Sequence, residues 1–149
     1  MDASLINRII NAVLNSTSSL LGVKPLIGKP CVKKTLGCED LNCLIPISVS
    51  SRIAGYICIS LDRRSIEKIK NLLKQESEIA AIKKLAGLVI EDIKDIIDLN
   101  NKYNKVDGLL IITEGQGLPI EKFEGHTISM PMHNNDFELK LEINLYSIN

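Results

Sequence analysis

Four cysteines are candidates for metal binding or for a nucleophile in this sequence. Cys31, Cys38 and Cys43 lie close together in the chain, but they lack the Cys-x-x-Cys spacing of a zinc site. Zinc would also need a fourth ligand. The three cysteines, together with Cys58, are therefore interpreted as reduced thiols, with zinc as the alternative. No metal or cofactor is expected.

A long predicted helix carries the second group of candidate residues. Apolar residues recur every three or four positions from near residue 77 to near residue 100, as one buried helix face requires. The opposite face presents Lys84, Gly87, Leu88 and Glu91, which we interpret as a contact surface for a protein partner. A glycine inside a helix costs about 1 kcal/mol relative to alanine, so Gly87 indicates close approach of another backbone. An ordinary solvated face is the alternative.

The elements that position these residues follow from periodicity and turn residues. Helices are predicted over residues 5–21, 62–73 and 77–100, and strands over residues 43–49, 53–61, 106–113, 126–132 and 138–145. The order predicts an α+β fold: a duplicated unit of one helix and three strands, with an antiparallel sheet and the long helices packed on one face. Residues 1–149 are expected to form a single domain. The last strand alternates leucine and isoleucine with polar residues, which predicts one solvent-exposed face.

Charge and hydropathy exclude several classes of partner. Eighteen basic and eighteen acidic side chains cancel, so no net field attracts nucleic acid or an anionic membrane. No apolar run approaches the roughly 20 residues that a membrane-spanning helix needs. A cytoplasmic protein is expected.

Five segments, in their order and spacing, resemble the CheX/CheC family of bacterial chemotaxis phosphatases. They are MDASLINRIINAV, Gly28-Lys29-Pro30, SRIAGYICISLDRRSIEKI, GLLIITEGQG and HTISMPMHNNDFELKLEIN. The resemblance covers nearly the whole chain. It implies the CheC-like fold, a CheY-like response regulator as partner and a homodimer formed through the sheets.

The resemblance also implies a mechanism, which this sequence does not support. Family members place a glutamate and an asparagine, three residues apart, on the exposed face of the helix before the second strand set. The carboxylate pairs with the regulator's lysine, and the amide orients the attacking water; the metal ion belongs to the regulator. The matching positions here are Lys84 with Gly87, or Leu85 with Leu88, and neither combination supplies both groups.

A second copy of that motif is also incomplete. Family members with two sites repeat it on the first helix, where this chain has Asn11 and Asn15 but Arg8 and Ala12 three positions earlier. The spacing does occur once, at Glu39 and Asn42, in a predicted loop, and we interpret it as chance. Asn15 remains a candidate contact residue.

Three hypotheses about function follow. The first is a signalling module that binds a CheY-like regulator, or another signalling protein, without phosphatase activity. The second is an active phosphatase that uses non-standard residues, such as the amide of Asn15. The third is a structural dimerisation module with partners outside chemotaxis.

Overall fold

The computed structural model describes residues 3–22, 24–33, 39–49, 52–100, 104–106, 111–114 and 127–145. These residues form three helices and eight strands. The helices are α1 (Ala3–Leu21), α2 (Arg63–Leu72) and α3 (Glu78–Asn100). The strands are β1 (Leu26–Ile27), β2 (Cys31–Lys33), β3 (Leu41–Val49), β4 (Arg52–Leu61), β5 (Asn104–Val106), β6 (Ile111–Glu114), β7 (Thr127–His133) and β8 (Glu138–Leu145).

Local chemistry determines where the helices begin and end. α1 stops at Gly22, whose φ of 73° favours glycine and whose N–H donates to the Ser18 carbonyl at 2.9 Å. α2 begins after Asp62, whose carboxylate accepts from the Ser65 N–H at 2.7 Å. None of the helices formed by the described residues is long and apolar enough to cross a membrane.

One antiparallel sheet contains all eight described strands. Its order is β1-β7-β8-β4-β3-β5, and in addition β2 pairs with β7 and β6 pairs with β3. At each end of the described sheet, two short strands pair with the same long strand. The sequence predicts one strand over residues 106–113; its two ends are β5 and β6, and residues 107–110 lie outside the described residues.

A proline lies at the centre of each long strand that pairs with two short strands. Pro46 of β3 lies between the residues paired with β5 and those paired with β6. Pro131 of β7 lies in the same way between the partners of β1 and β2. Proline cannot donate a backbone hydrogen bond, so it is tolerated in a strand where no lateral partner is needed. Both prolines still face a neighbour on their other side, Tyr56 and Lys140 respectively.

These equivalences define a pseudo-two-fold axis. If Pro46 corresponds to Pro131, then Tyr56 corresponds to Lys140, and Cys58 to Glu142. Cys58 and Glu142 are themselves paired across β4 and β8. The axis therefore passes between these two residues. Each half of the chain supplies two short strands to a long strand of the other half: β1 and β2 pair with β7, and β5 and β6 pair with β3. The predicted α+β fold with a duplicated unit is confirmed.

The two faces of the sheet have different chemistry. On one face, side chains such as Ile57, Ile59 and Leu141 join all three helices in a single apolar core. The other face carries polar side chains, including those of Glu142 and Asn144, which are 0% and 1% exposed. The predicted solvent-exposed face of the last strand is thus correct at Glu138, which is exposed, and wrong at Glu142 and Asn144. The alternation of polar and apolar residues predicts the two faces of a strand but not how deeply each is buried.

Gly28, between β1 and β2, provides a test of the contact between this segment and Pro131. Its N–H donates to the Pro131 carbonyl at 2.7 Å, and an added Cβ would lie 2.8 Å from Pro131 Cγ. We expect Gly28→Ala to lower the free energy of unfolding by about 1–3 kcal/mol, because the proline ring has little room to move. Urea denaturation measures this change.

Gly87 is the matched control, since a Cβ there would meet no heavy atom within 4 Å. Gly87→Ala should raise the free energy of unfolding by up to about 1 kcal/mol, because alanine has the higher helix propensity. Equal effects of the two substitutions would contradict the described packing of Gly28.

Candidate partner-binding site

A polar groove runs between α1 and α3, which pack against each other. Its volume is about 370 Å³, and it is lined by Arg8, Asn11, Ala12, Asn15, Asp92 and Ile96. We call it the α1–α3 groove. It brings together side chains from the two halves of the duplicated fold.

The α1 side of the groove presents a row of polar side chains. Arg8, Asn11 and Asn15 are spaced by three and four residues, so they lie on one helix face, and all three are exposed. Ala12 between them is buried. This row offers one guanidinium group, which donates hydrogen bonds, and two amides, which both donate and accept them, to a molecule that enters the groove.

The α3 side supplies the carboxylate. Asp92 is exposed at the groove, and its Oδ2 accepts a hydrogen bond from the hydroxyl of Ser16 on α1. Ser16 is itself 0% exposed. Asp92 is thus held at the seam between the helices, beside the amide of Asn15.

Sequence reasoning missed Asp92. The predicted contact stripe was placed directly opposite the apolar face of α3, whereas Asp92 lies at the edge of that face, between the half-buried Leu88 and Ile96 one turn away on either side. One signal was present: Ser16 and Thr17 interrupt the apolar face of α1 and are buried. Such a signal does not identify Asp92 by itself, because a helical hydroxyl can also donate to the carbonyl four residues earlier, as Thr17 does to Val13 at 2.8 Å.

The predicted stripe residues are placed on α3 but outside the lining of the groove. Lys84 and Glu91 are exposed, and Gly87 and Leu88 are half-buried. Their role in partner contact stays a prediction. In the described part of the chain no heavy atom would lie within 4 Å of a Cβ at Gly87, so the approach of another backbone to this glycine stays a prediction about a partner.

The Glu39–Asn42 pair has a structural role. Asn42 is 0% exposed, and its amide donates to the Glu39 carbonyl at 3.0 Å and accepts from the Glu39 N–H at 3.2 Å. The Glu39 carboxylate pairs with Lys140 Nζ at 2.6 Å, and this hydrogen bond raises the pKa of Lys140. The amide is therefore not available to orient water, in agreement with the interpretation of this spacing as chance.

A larger polar cleft, about 420 Å³ in volume, lies at the start of α2. Its most buried polar groups are engaged within the protein: Asp62 caps the helix, and the Ser65 hydroxyl accepts from the Glu138 N–H at 2.8 Å. These contacts secure α2 to the sheet.

The described cysteines are free thiols. Burial raises the pKa of both Cys43 and Cys58 to about 12, so neither forms the reactive thiolate near neutral pH. Cys31 is exposed, and Cys38 lies outside the described residues. Among the described residues, no group of histidine, cysteine, aspartate and glutamate side chains could hold a metal ion.

The described helices and strands have the CheC-like fold. No protein-family model and no curated protein matches the sequence. Solved structures do match. A CheC-like superfamily protein from Shewanella sp. PV-4 has a TM-score of 0.81 at 21% identity, over 99% of this chain and 100% of that one.

Two chemotaxis proteins named CheX are also similar. The one from Desulfovibrio desulfuricans has a TM-score of 0.75 at 18% identity, over 95% of this chain and 99% of that chain. The one from Borrelia burgdorferi, solved as a CheX-CheY-BeF3-Mg2+ complex, has a TM-score of 0.69 at 13% identity, over 96% and 98%. The resemblance to the CheX/CheC family is thus confirmed at the level of the fold.

Proposed function

We propose that this protein is a cytoplasmic CheX-like module that binds a CheY-like response regulator through the α1–α3 groove. The fold supports this proposal, because a chain of the same fold has been solved in complex with CheY. The groove supports it further, since the exposed side chains of Arg8, Asn15 and Asp92 converge there from two helices. No cofactor is required of this chain, because the metal ion would belong to the regulator.

The observation that carries the proposal is the position of Asp92. An exposed carboxylate that is already held by a hydrogen bond loses little side-chain freedom when it binds a cation. The lysine that the resemblance implies in the regulator's active site is such a cation. The amides of Asn11 and Asn15 on α1 can then donate hydrogen bonds to, or accept them from, polar groups of the regulator around that lysine.

The binding test uses CheY-like receiver domains with and without beryllofluoride. The receiver domain that the wild-type protein binds most tightly is used for the variants. We expect Asp92→Ala to weaken binding to this receiver about tenfold, because the variant lacks the charge that pairs with the receiver. Asn15→Ala should weaken binding less. Calorimetry measures the dissociation constants. Asp136→Ala, an exposed acid outside the groove, is the control. Unchanged affinity after Asp92→Ala would refute the groove as the binding surface.

Phosphatase activity is the second candidate function, and one observation favours it. The family's carboxylate and amide stand on one helix, and α3 lacks that pair. The groove nevertheless places the Asp92 carboxylate alongside the amides of Asn11 and Asn15. In such a site Asp92 would pair with the regulator's cation, and an asparagine would orient the water that attacks the aspartyl phosphate.

A phospho-receiver turnover assay separates binding from catalysis. For a purely binding module, we expect the rate of receiver dephosphorylation to stay unchanged when the protein is added at stoichiometric concentration. The reason is that α3 supplies no amide and carboxylate pair to align water. Acceleration that Asn15→Ala abolishes, with binding retained, would instead establish the enzyme.

We also propose that the protein forms a homodimer through the sheet edge made by β1 and β2. Leu26, Ile27 and Val32 on these strands are 68%, 43% and 65% exposed, which is unusual for large apolar side chains. An edge strand offers unpaired backbone groups to a second strand, and a two-fold pairing of two copies would cover both the edge and these side chains.

Sedimentation velocity tests the dimer. Val32→Lys should shift the protein from dimer to monomer, because a charge at an antiparallel two-fold pairing would face its own copy. Leu72→Lys, at an exposed apolar position on α2, serves as the control for added charge. A wild-type protein that sediments as a monomer at micromolar concentration would refute the dimer and leave the groove proposal intact.

A further inference from the structure

Ser16 is a buried hydroxyl with two possible acceptors. Its Oγ lies 2.9 Å from the Ala12 carbonyl oxygen, one turn earlier on α1, and it also contacts Oδ2 of Asp92 across the helix seam. A hydroxyl has one proton, so it donates fully to one acceptor at a time. Ser16 therefore has two hydrogen-bonded states, which differ by rotation of a single bond.

The two states differ in strength. A hydrogen bond to an ionised carboxylate is about twice as strong as one between neutral groups, so the free protein favours donation to Asp92. When Asp92 turns towards a partner, the hydroxyl can rotate to the Ala12 carbonyl. Release then leaves no buried donor unsatisfied, which would otherwise cost about 1–3 kcal/mol.

We propose that Ser16 is a positioning residue for Asp92. It holds one carboxylate oxygen at the floor of the α1–α3 groove, so that the other oxygen faces a cationic group of the partner. The Ala12 carbonyl is the alternative acceptor: when Asp92 turns away, the Ser16 hydroxyl stays hydrogen-bonded, and the cost is limited to exchanging a charge-assisted hydrogen bond for a neutral one. This inference rests on the proposed binding function for its consequence, but the Ser16–Asp92 contact itself can be tested without any partner.

A double-mutant cycle on stability tests the contact. Ser16→Ala, Asp92→Ala and the double variant are compared by urea denaturation. The expected coupling changes the unfolding equilibrium constant about two- to tenfold relative to additive effects, the range for one hydrogen bond. Ser19→Ala, an exposed serine on the same helix, should be additive with Asp92→Ala. Additive effects for Ser16 would overturn the proposal.

Binding to the receiver domain tests the positioning role. Ser16→Ala should weaken binding about two- to tenfold in the wild-type background and should have no further effect when Asp92 is already alanine. A Ser16→Ala variant with lower stability but unchanged affinity would show a purely structural hydroxyl and overturn the proposal. If no receiver binds the wild-type protein, the proposed function fails, and the stability cycle still decides whether Ser16 holds Asp92.

Discussion

The pairing of β4 with β8 is the contact on which the rest of this structure depends. These strands join the two halves of the duplicated fold along an antiparallel ladder from Gly55–Leu145 to Leu61–Leu139. Neither half is complete alone, because the two short outer strands of each half pair with a long strand of the other half. The hydrogen bonds and the apolar core are therefore shared between the halves, and we expect the described elements to fold as one cooperative unit.

The same symmetry explains why the candidate site lies where it does. A pseudo-two-fold axis through the centre of the sheet places the equivalent helices α1 and α3 side by side over that centre. Their packed seam is the place where polar residues from both halves can meet. Ser16 and Asp92 meet there at the edge of a core that includes Val13 and Val89. A site of this kind is positioned by helix packing and not by the pitch of a single helix.

Periodicity and turn residues were sufficient to predict the helices, the long strands and the duplication, because each of these leaves a local pattern in the sequence. Burial that depends on long-range packing was not predictable. Ile79 fits the apolar period of α3 and yet is 40% exposed, whereas Glu142 fits a solvent-exposed alternation and is 0% exposed. The short strands β1 and β2, which pair with β7 on either side of Pro131, were likewise not predicted.

The candidate site shows the same limit in chemical terms. A search for an amide and a carboxylate three residues apart assumes that one helix carries both groups, and by that criterion α3 has no site. The structure satisfies part of the requirement in another way, with amides from α1 and a carboxylate from α3. The relative position of these groups depends on the separation of the two helices, which in turn depends on the fit of apolar side chains beneath the groove. The chemistry of the α1–α3 groove is therefore inseparable from the packing that joins the two halves of the fold.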